Sequence, residues 1–82
     1  MKKKINNRSP TEMIPKIIWA KVRYYQMLDD MPDEVLAEYL NICTKTLRAY
    51  DKGAANLTLG QIASYIDLTD RKMTDLINDD DI

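Results

Sequence analysis

Residues that usually carry catalysis or hold metals are scarce in this 82-residue sequence. The chain has no His and a single cysteine, Cys43, which excludes most zinc sites, a Ser-His-Asp triad and any Cys-His pair. Carboxylates are plentiful, but none has a suitable partner in a pocket-forming segment. We therefore expect no enzyme, no metal and no cofactor. Cys43 begins a helical segment, which can lower a thiol pKa, but a structural role is the better interpretation.

The charged residues are unevenly distributed along the chain. Residues 1–27 contain seven basic residues and one acid, a net charge of +6, whereas residues 28–82 contain five basic residues and twelve acids, a net charge of −7. This asymmetry indicates either nucleic-acid binding or a basic arm with an acidic tail, and the alternative is a lopsided but solvated surface. The segment before the first helix carries Lys2, Lys3, Lys4 and Arg8.

The elements that must position these charges are predicted to be helical. No stretch alternates with period two, and apolar residues recur at helical spacing. We expect an all-α fold, a compact five-helix bundle over residues 11–78, with a flexible basic arm over residues 1–10 and an acidic tail over residues 79–82. No apolar run is long enough for a signal-peptide core or a membrane span, and the lone cysteine fits a reducing compartment, so we expect a cytoplasmic protein.

Capping signals predict where the helices begin and end. Proline at a first helical position, acids in a first turn and a Thr-x-x-Gln capping box favour starts, whereas Asn and Gly favour ends. The predicted starts are Thr11 or Glu12, Pro32, Cys43 or Thr44, Thr58, and Thr69 or Asp70. The first four helices are predicted to end near Leu28, Asn41, Gly53 and Ile66.

The first helix carries two apolar stripes, although a surface helix needs only one. The second stripe indicates either a helix surrounded by its own domain or contact with a partner subunit. The first stripe comprises Ile14, Ile18, Val22 and Tyr25. The second stripe comprises Met13, Ile17, Ala20, Tyr24, Met27 and Met31. The fifth helix, with Met73, Leu76 and Ile77, is the other candidate dimer surface.

The most informative pattern lies between residues 31 and 53, where two short helices are joined by a turn at residues 41–43. Ala37 is small enough to lie where two helices cross, and Asn41 tolerates the positive φ that the turn requires. A shared core is predicted for both helices, formed by Leu36, Leu40, Leu47 and Tyr50. The polar N-terminal side chains of the third helix then project outward, as in motifs that enter the DNA major groove.

Over this stretch the chain resembles the lambda-repressor and Cro class of helix-turn-helix DNA-binding domains. Asn41 stands where the family has a turn glycine, and Asp51 where it has Glu. Five residues are identical to the family pattern without a gap: Leu36, Ala37, Leu40, Thr46 and Gly53. The resemblance implies a lambda repressor-like bundle that acts as a sequence-specific regulator of transcription, such as a small repressor of a phage or other mobile element. It also implies a homodimer on double-stranded DNA.

The resemblance assigns roles to individual residues. Thr44, Lys45 and Arg48 occupy the groove-facing positions, and their donors suit base edges such as guanine O6 and N7. Lys52 and Asn56 would contact the DNA backbone without reading sequence. The same backbone role is expected for the arm residues Lys2, Lys3, Lys4 and Arg8, because each neutralised phosphate releases counterions.

Other features favour a protein partner. The family has Thr-Gln at the start of the second helix, where this chain has Pro32-Asp33, and a carboxylate there repels DNA unless it faces away. The C-terminal half is acidic as well. The alternative function is therefore a protein–protein interaction module, such as an inhibitor, antirepressor or antitoxin, that binds through the acidic C-terminal half.

Overall fold

Five α-helices make up most of residues 10–77, the part of the chain that the computed structural model describes, with side chains described for residues 13–77. The described residues contain no strand, so the predicted all-helical class is confirmed. The predicted basic arm residues Lys2, Lys3, Lys4 and Arg8 and the acidic tail lie outside the described residues. The helices are α1 (Pro10–Leu28), α2 (Asp33–Leu40), α3 (Thr44–Tyr50), α4 (Leu59–Thr69) and α5 (Met73–Ile77).

Helix α1 is the longest element and supplies one wall of the core. It begins at Pro10, one residue before the predicted start, because the fixed φ of proline suits a first helical residue. Ile18, Trp19 and Val22 are buried on its inner face. Ile14, predicted to extend the inner stripe, is exposed instead, and Met27 of the second stripe is 77% exposed.

A tight corner connects α2 to α3. Asn41 adopts the predicted left-handed conformation, with φ 61° and ψ 44°. Its N–H donates to the carbonyl of Glu38 at 3.1 Å, and the N–H of Ile42 donates to the carbonyl of Ala37 at 2.9 Å. These two bonds form a Schellman motif, which satisfies carbonyls that the helix end would otherwise leave unpaired.

The predicted start of α4 is confirmed, and that of α5 is wrong. The Thr58 hydroxyl accepts from the N–H of Gln61 at 3.1 Å, and the Gln61 side chain accepts from the N–H of Thr58 at 3.0 Å, which completes the capping box. Thr69 and Asp70 do not open α5. Thr69 is the last residue of α4 and Asp70 has a φ of 60°, because the chain turns in the left-handed conformation there before α5 begins at Met73.

The helices enclose one apolar core. Helix α1 packs against α5, and α2 packs against both α3 and α4. The Trp19 and Tyr50 rings meet edge to face, with centroids 5.2 Å apart, a favoured geometry for aromatic pairs. The predicted core residues Leu36, Leu40, Leu47 and Tyr50 are all buried, and Leu76 is too, so Leu76 is not available to a dimer surface.

Candidate nucleic-acid interface

Three cations follow one side of α3. Lys45 and Arg48 are exposed, and Lys52 is exposed two residues after the end of the helix. The backbone continues as a turn past Tyr50, since the N–H of Lys52 donates to the carbonyl of Ala49 at 3.0 Å. Spacings of three and four residues bring the three side chains to one face. The buried side chains of α3 lie on the opposite face, so the helix is anchored on one side and basic on the other.

The other two predicted contact residues differ in their surroundings. Thr44 is only half-exposed at the first position of α3, so its access to a ligand is smaller than that of Lys45. Asn56 is exposed in the loop between α3 and α4, where its carbonyl accepts a long hydrogen bond from the Tyr50 hydroxyl at 3.4 Å. The same hydroxyl donates to Gln61 at 3.1 Å, which ties the end of α3 to α4.

Arg48 is joined to Asp33 at the start of α2. Its Nε donates to Asp33 Oδ2 at 3.3 Å, while the arginine side chain remains 59% exposed. Among the described residues, neither terminal nitrogen of Arg48 makes a hydrogen bond. Asp33 therefore does not project as an isolated negative charge beside the basic face, as its position in the sequence suggested, because the carboxylate is held against the fold.

Arg23 of α1 organises this region, and the sequence analysis missed it. Its Nη1 donates to Asp33 Oδ1 at 2.8 Å and to the Gln26 side-chain oxygen at 2.6 Å. Its Nε and Nη2 donate to the two oxygens of Asp51 at 3.0 and 2.7 Å. Bidentate arginine–carboxylate pairs are stronger and more directional than single contacts. Arg23 thus links α1 to the start of α2 and to the end of α3.

The carboxylates of this network are stabilised in their charged forms. Hydrogen bonds from Gln26, then from Arg23, lower the pKa of Asp33 from 3.8 to about 2. The bond from Arg23 is the largest cause of the lowered pKa of Asp51, and the indole N–H of Trp19, which donates to Asp51 at 2.7 Å, adds to it. The bond to Asp51 likewise raises the pKa of Arg23. The network is therefore ionised at neutral pH.

A cleft of about 620 Å³ lies beside the basic face, between α1 and the end of α3. Trp19 and Tyr50 form its apolar wall, and Lys16 and Lys52 are among its lining residues. Asp51 also lines it, but its charge is offset by Arg23. The cleft thus extends the positive surface from α3 toward α1.

Not all of the basic residues of the N-terminal third are available to a ligand. Lys21 is fully buried, with its Nζ 5.9 Å from the ring centroids of both Tyr24 and Tyr25, and Arg23 is bound within its network. On the α5 side, the Arg71 guanidinium lies 3.9 Å from the Tyr25 centroid. Some of the basic residues that produce the charge asymmetry of the sequence therefore contribute to the fold and are not available to bind a ligand.

Cys43 is exposed at the residue before α3. A hydrogen bond with the Thr46 side chain and the backbone N–H of Thr46 lower the pKa of the exposed Cys43 thiol from 9.0. Its sulfur lies 3.3 Å from the Thr46 hydroxyl, so the two side chains contact each other across the first turn of α3. Within residues 13–77, no three His, Cys, Asp or Glu side chains cluster in a way that could hold a metal ion.

Comparisons of the chain with protein-family models, with curated proteins and with solved structures found no match. The helices that the structure describes include none that is both long and apolar enough to cross a lipid bilayer.

Proposed function

We propose that this chain is a helix-turn-helix regulator of transcription that binds double-stranded DNA sequence-specifically, with α2 and α3 as the motif and α3 in the major groove. The observation that carries the proposal is the face formed by Lys45, Arg48 and Lys52, which is exposed along a helix whose other side is buried. The Asn41 corner supports it, because a left-handed residue with a Schellman motif ends α2 and lets α3 begin three residues later, within the short turn that the motif requires.

Each residue of the proposed interface has a role suited to its chemistry. Arg48 and Lys45 donate to base edges, and the half-exposed Thr44 contributes its hydroxyl or its methyl group. Lys52 and Asn56, which follow the helix, contact phosphates and set the register of the protein on the duplex. The arm residues Lys2, Lys3, Lys4 and Arg8 would add phosphate contacts. The protein would act as a cytoplasmic homodimer at a two-fold operator.

The proposal is tested by selecting bound sequences from a random duplex pool and then titrating the enriched site at several salt concentrations. We expect a preferred site, half-sites about 34 Å apart if the dimer binds, and a log–log salt slope that steepens by about 0.9 for each neutralised phosphate. Arg48→Ala should weaken binding to that site by about 1–3 kcal/mol and relax one base position.

Lys72→Ala is the matched control, since Lys72 is an exposed cation just before α5 and away from α3 in sequence. It removes the same charge and should leave the base preference unchanged. Binding without sequence preference would refute the proposal, and an absence of salt dependence would refute the phosphate contacts. An equal loss on all sequences in Arg48→Ala would instead make Arg48 a phosphate contact.

A second candidate function is supported by the exposed apolar residues near the end of α1. Tyr24, Met27 and Leu28 are 41%, 77% and 59% exposed, and a protein-binding module would use such a surface, alone or with the acidic C-terminal half. Deleting residues 2–8 separates the two functions. A complex with a partner protein should survive that deletion, whereas DNA affinity should fall because the arm cations are lost.

A further inference from the structure

The Asp33 carboxylate contacts two parts of the fold through its two oxygens. Oδ1 accepts hydrogen bonds from Arg23 and Gln26, both at 2.8 Å, and these residues belong to α1. Oδ2 accepts from Arg48 Nε at 3.3 Å, and Arg48 belongs to α3. One oxygen is thus bound to the body of the protein, and the other is directed at the exposed arginine.

The α1 side of this contact is rigid. Gln26 is buried, and its side-chain nitrogen donates both to Asp33 and to the carbonyl of Met31, at 2.8 and 3.0 Å. Arg23 is itself held by the bidentate pair with Asp51. Because both donors to Oδ1 have fixed partners, the Asp33 side chain has little freedom to turn. Arg48, by contrast, is held by one bond only.

We infer that Asp33 is a positioning residue for Arg48, and that it orients the guanidinium to read a guanine in the proposed DNA complex. The bond to Asp33 uses Nε, which leaves the two terminal nitrogens as the pair of donors that a bidentate contact to guanine O6 and N7 requires. Ordering a long arginine side chain on binding costs entropy, and part of that cost is already met when the side chain is held in the free protein. This inference rests on the proposed function.

The position of Asp33 also removes the objection that a carboxylate at this site repels DNA. Asp33 and Asp51 together carry two negative charges, which the two positive charges of Arg23 and Arg48 balance. Asp33 lies 2.8 Å from Arg23 and 3.3 Å from Arg48. The resembled family has Thr-Gln where this chain has Pro32-Asp33. Asp33 would act through Arg48 of α3 instead of contacting DNA itself.

Asp33→Asn isolates this role. The Asn oxygen can still accept from Arg23 and Gln26, although these bonds lose the strength that the carboxylate charge gives them. Its amide group then meets Arg48 Nε as a second donor, so the contact to Arg48 is lost. Glu34→Gln is the control, because Glu34 is an exposed acid at the next position of α2 and makes no hydrogen bond with the described residues.

The experiment measures the affinity of the wild type and four variants for the selected site and for the site changed at the base pair that Arg48→Ala relaxes. The variants are Asp33→Asn, Glu34→Gln, Arg48→Ala and the double variant Asp33→Asn/Arg48→Ala. We expect Asp33→Asn to reduce discrimination at that base pair about fivefold or more, Glu34→Gln to preserve it, and Asp33→Asn to cause no further loss when Arg48 is already Ala. Circular dichroism confirms that each variant is folded.

The Arg48 Nε–H resonance in the NMR spectrum of the free protein is the second readout. Hydrogen exchange at Nε should be slowed in the wild type and in Glu34→Gln, and should become fast in Asp33→Asn. Fast exchange in the wild type, or unchanged discrimination in Asp33→Asn by a protein whose wild type does discriminate, overturns the positioning role alone. A wild type without sequence preference overturns the proposed function, and this role with it.

Discussion

The stability of the fold should depend on pH through Asp33. Hydrogen bonds from Gln26 and Arg23 hold its pKa at about 2 in the folded protein, against an ordinary value of 3.8. Unfolding breaks these bonds, so the unfolded carboxylate binds a proton more readily than the folded one. A lowered folded pKa contributes stability that is present above the unfolded pKa and is lost as the pH falls through the folded pKa. The loss is therefore expected between about pH 4 and pH 2.

The size of the effect follows from the difference between the two pKa values. One pH unit corresponds to about 1.36 kcal/mol, so a difference of nearly two units gives an upper limit of about 2.5 kcal/mol. The Asp33 side chain is 27% exposed, and solvent screening reduces the contribution of such pairs. We therefore expect the wild type to exceed Asp33→Asn by about 1 kcal/mol or less at pH 6, and the difference to approach zero at pH 2.

Urea unfolding at pH 6, 4.5, 3 and 2 measures this difference, with circular dichroism and the fluorescence of the single Trp19 as probes. Trp19 is buried and donates to Asp51, so its emission reports on the same region. Glu34→Gln removes an exposed charge from the same helical turn and should change the free energy of unfolding by less than about 0.5 kcal/mol at pH 6. A difference between wild type and Asp33→Asn that is the same at all four pH values would refute the linkage to Asp33.

Three further substitutions test the packing and the caps by thermal and urea unfolding. Leu40→Ala should destabilise the fold by about 2–5 kcal/mol, because Leu40 is fully buried between α2 and its neighbours, and an unchanged melting temperature would contradict that core assignment. Thr58→Ala should cost about 1 kcal/mol through loss of the capping box, and Thr58→Ser should retain most of it. Lys21→Met should raise the free energy of unfolding by about 1 kcal/mol, because the buried Lys21 Nζ has no hydrogen-bond partner within the described residues. A loss of stability in Lys21→Met would mean that its contacts with the two tyrosine rings outweigh that cost.

Local features of the fold could be predicted from the sequence because they depend on residues a few positions apart. The Asn41 corner and the Thr58–Gln61 capping box are hydrogen-bond patterns within one helical turn. The predicted start of α5 is wrong because the local signal at residues 69 and 70 is ambiguous. Thr69 and Asp70 match a starting signal, but Asp70 also tolerates the left-handed conformation that ends α4.

The candidate site was predictable only in part. The common face of Lys45 and Arg48 on α3 and of Lys52 in the turn after it follows from helical spacing, and all three are exposed. Nothing in the spacing of Arg23 distinguished it from a solvated lysine or arginine. Its two carboxylate partners lie 10 and 28 residues away, and no periodic pattern connects them. Asp33 was recognised as a departure from the resembled family, but its contact with Arg48 was not.

The sequence by itself determined the helical class, the Asn41 and Thr58 caps and which face of α3 is basic, since each of these depends on interactions within one or two turns. The tertiary structure alone decided which charges are paired. Whether Arg23, Asp33 and Asp51 neutralise one another depends on how α1 packs beside the start of α2 and the end of α3, because ion pairs require atoms within about 4 Å, whatever their separation along the chain. The same packing buries Lys21 and leaves Arg48 exposed but paired with Asp33. The near-neutral total charge of the chain does not reveal this division.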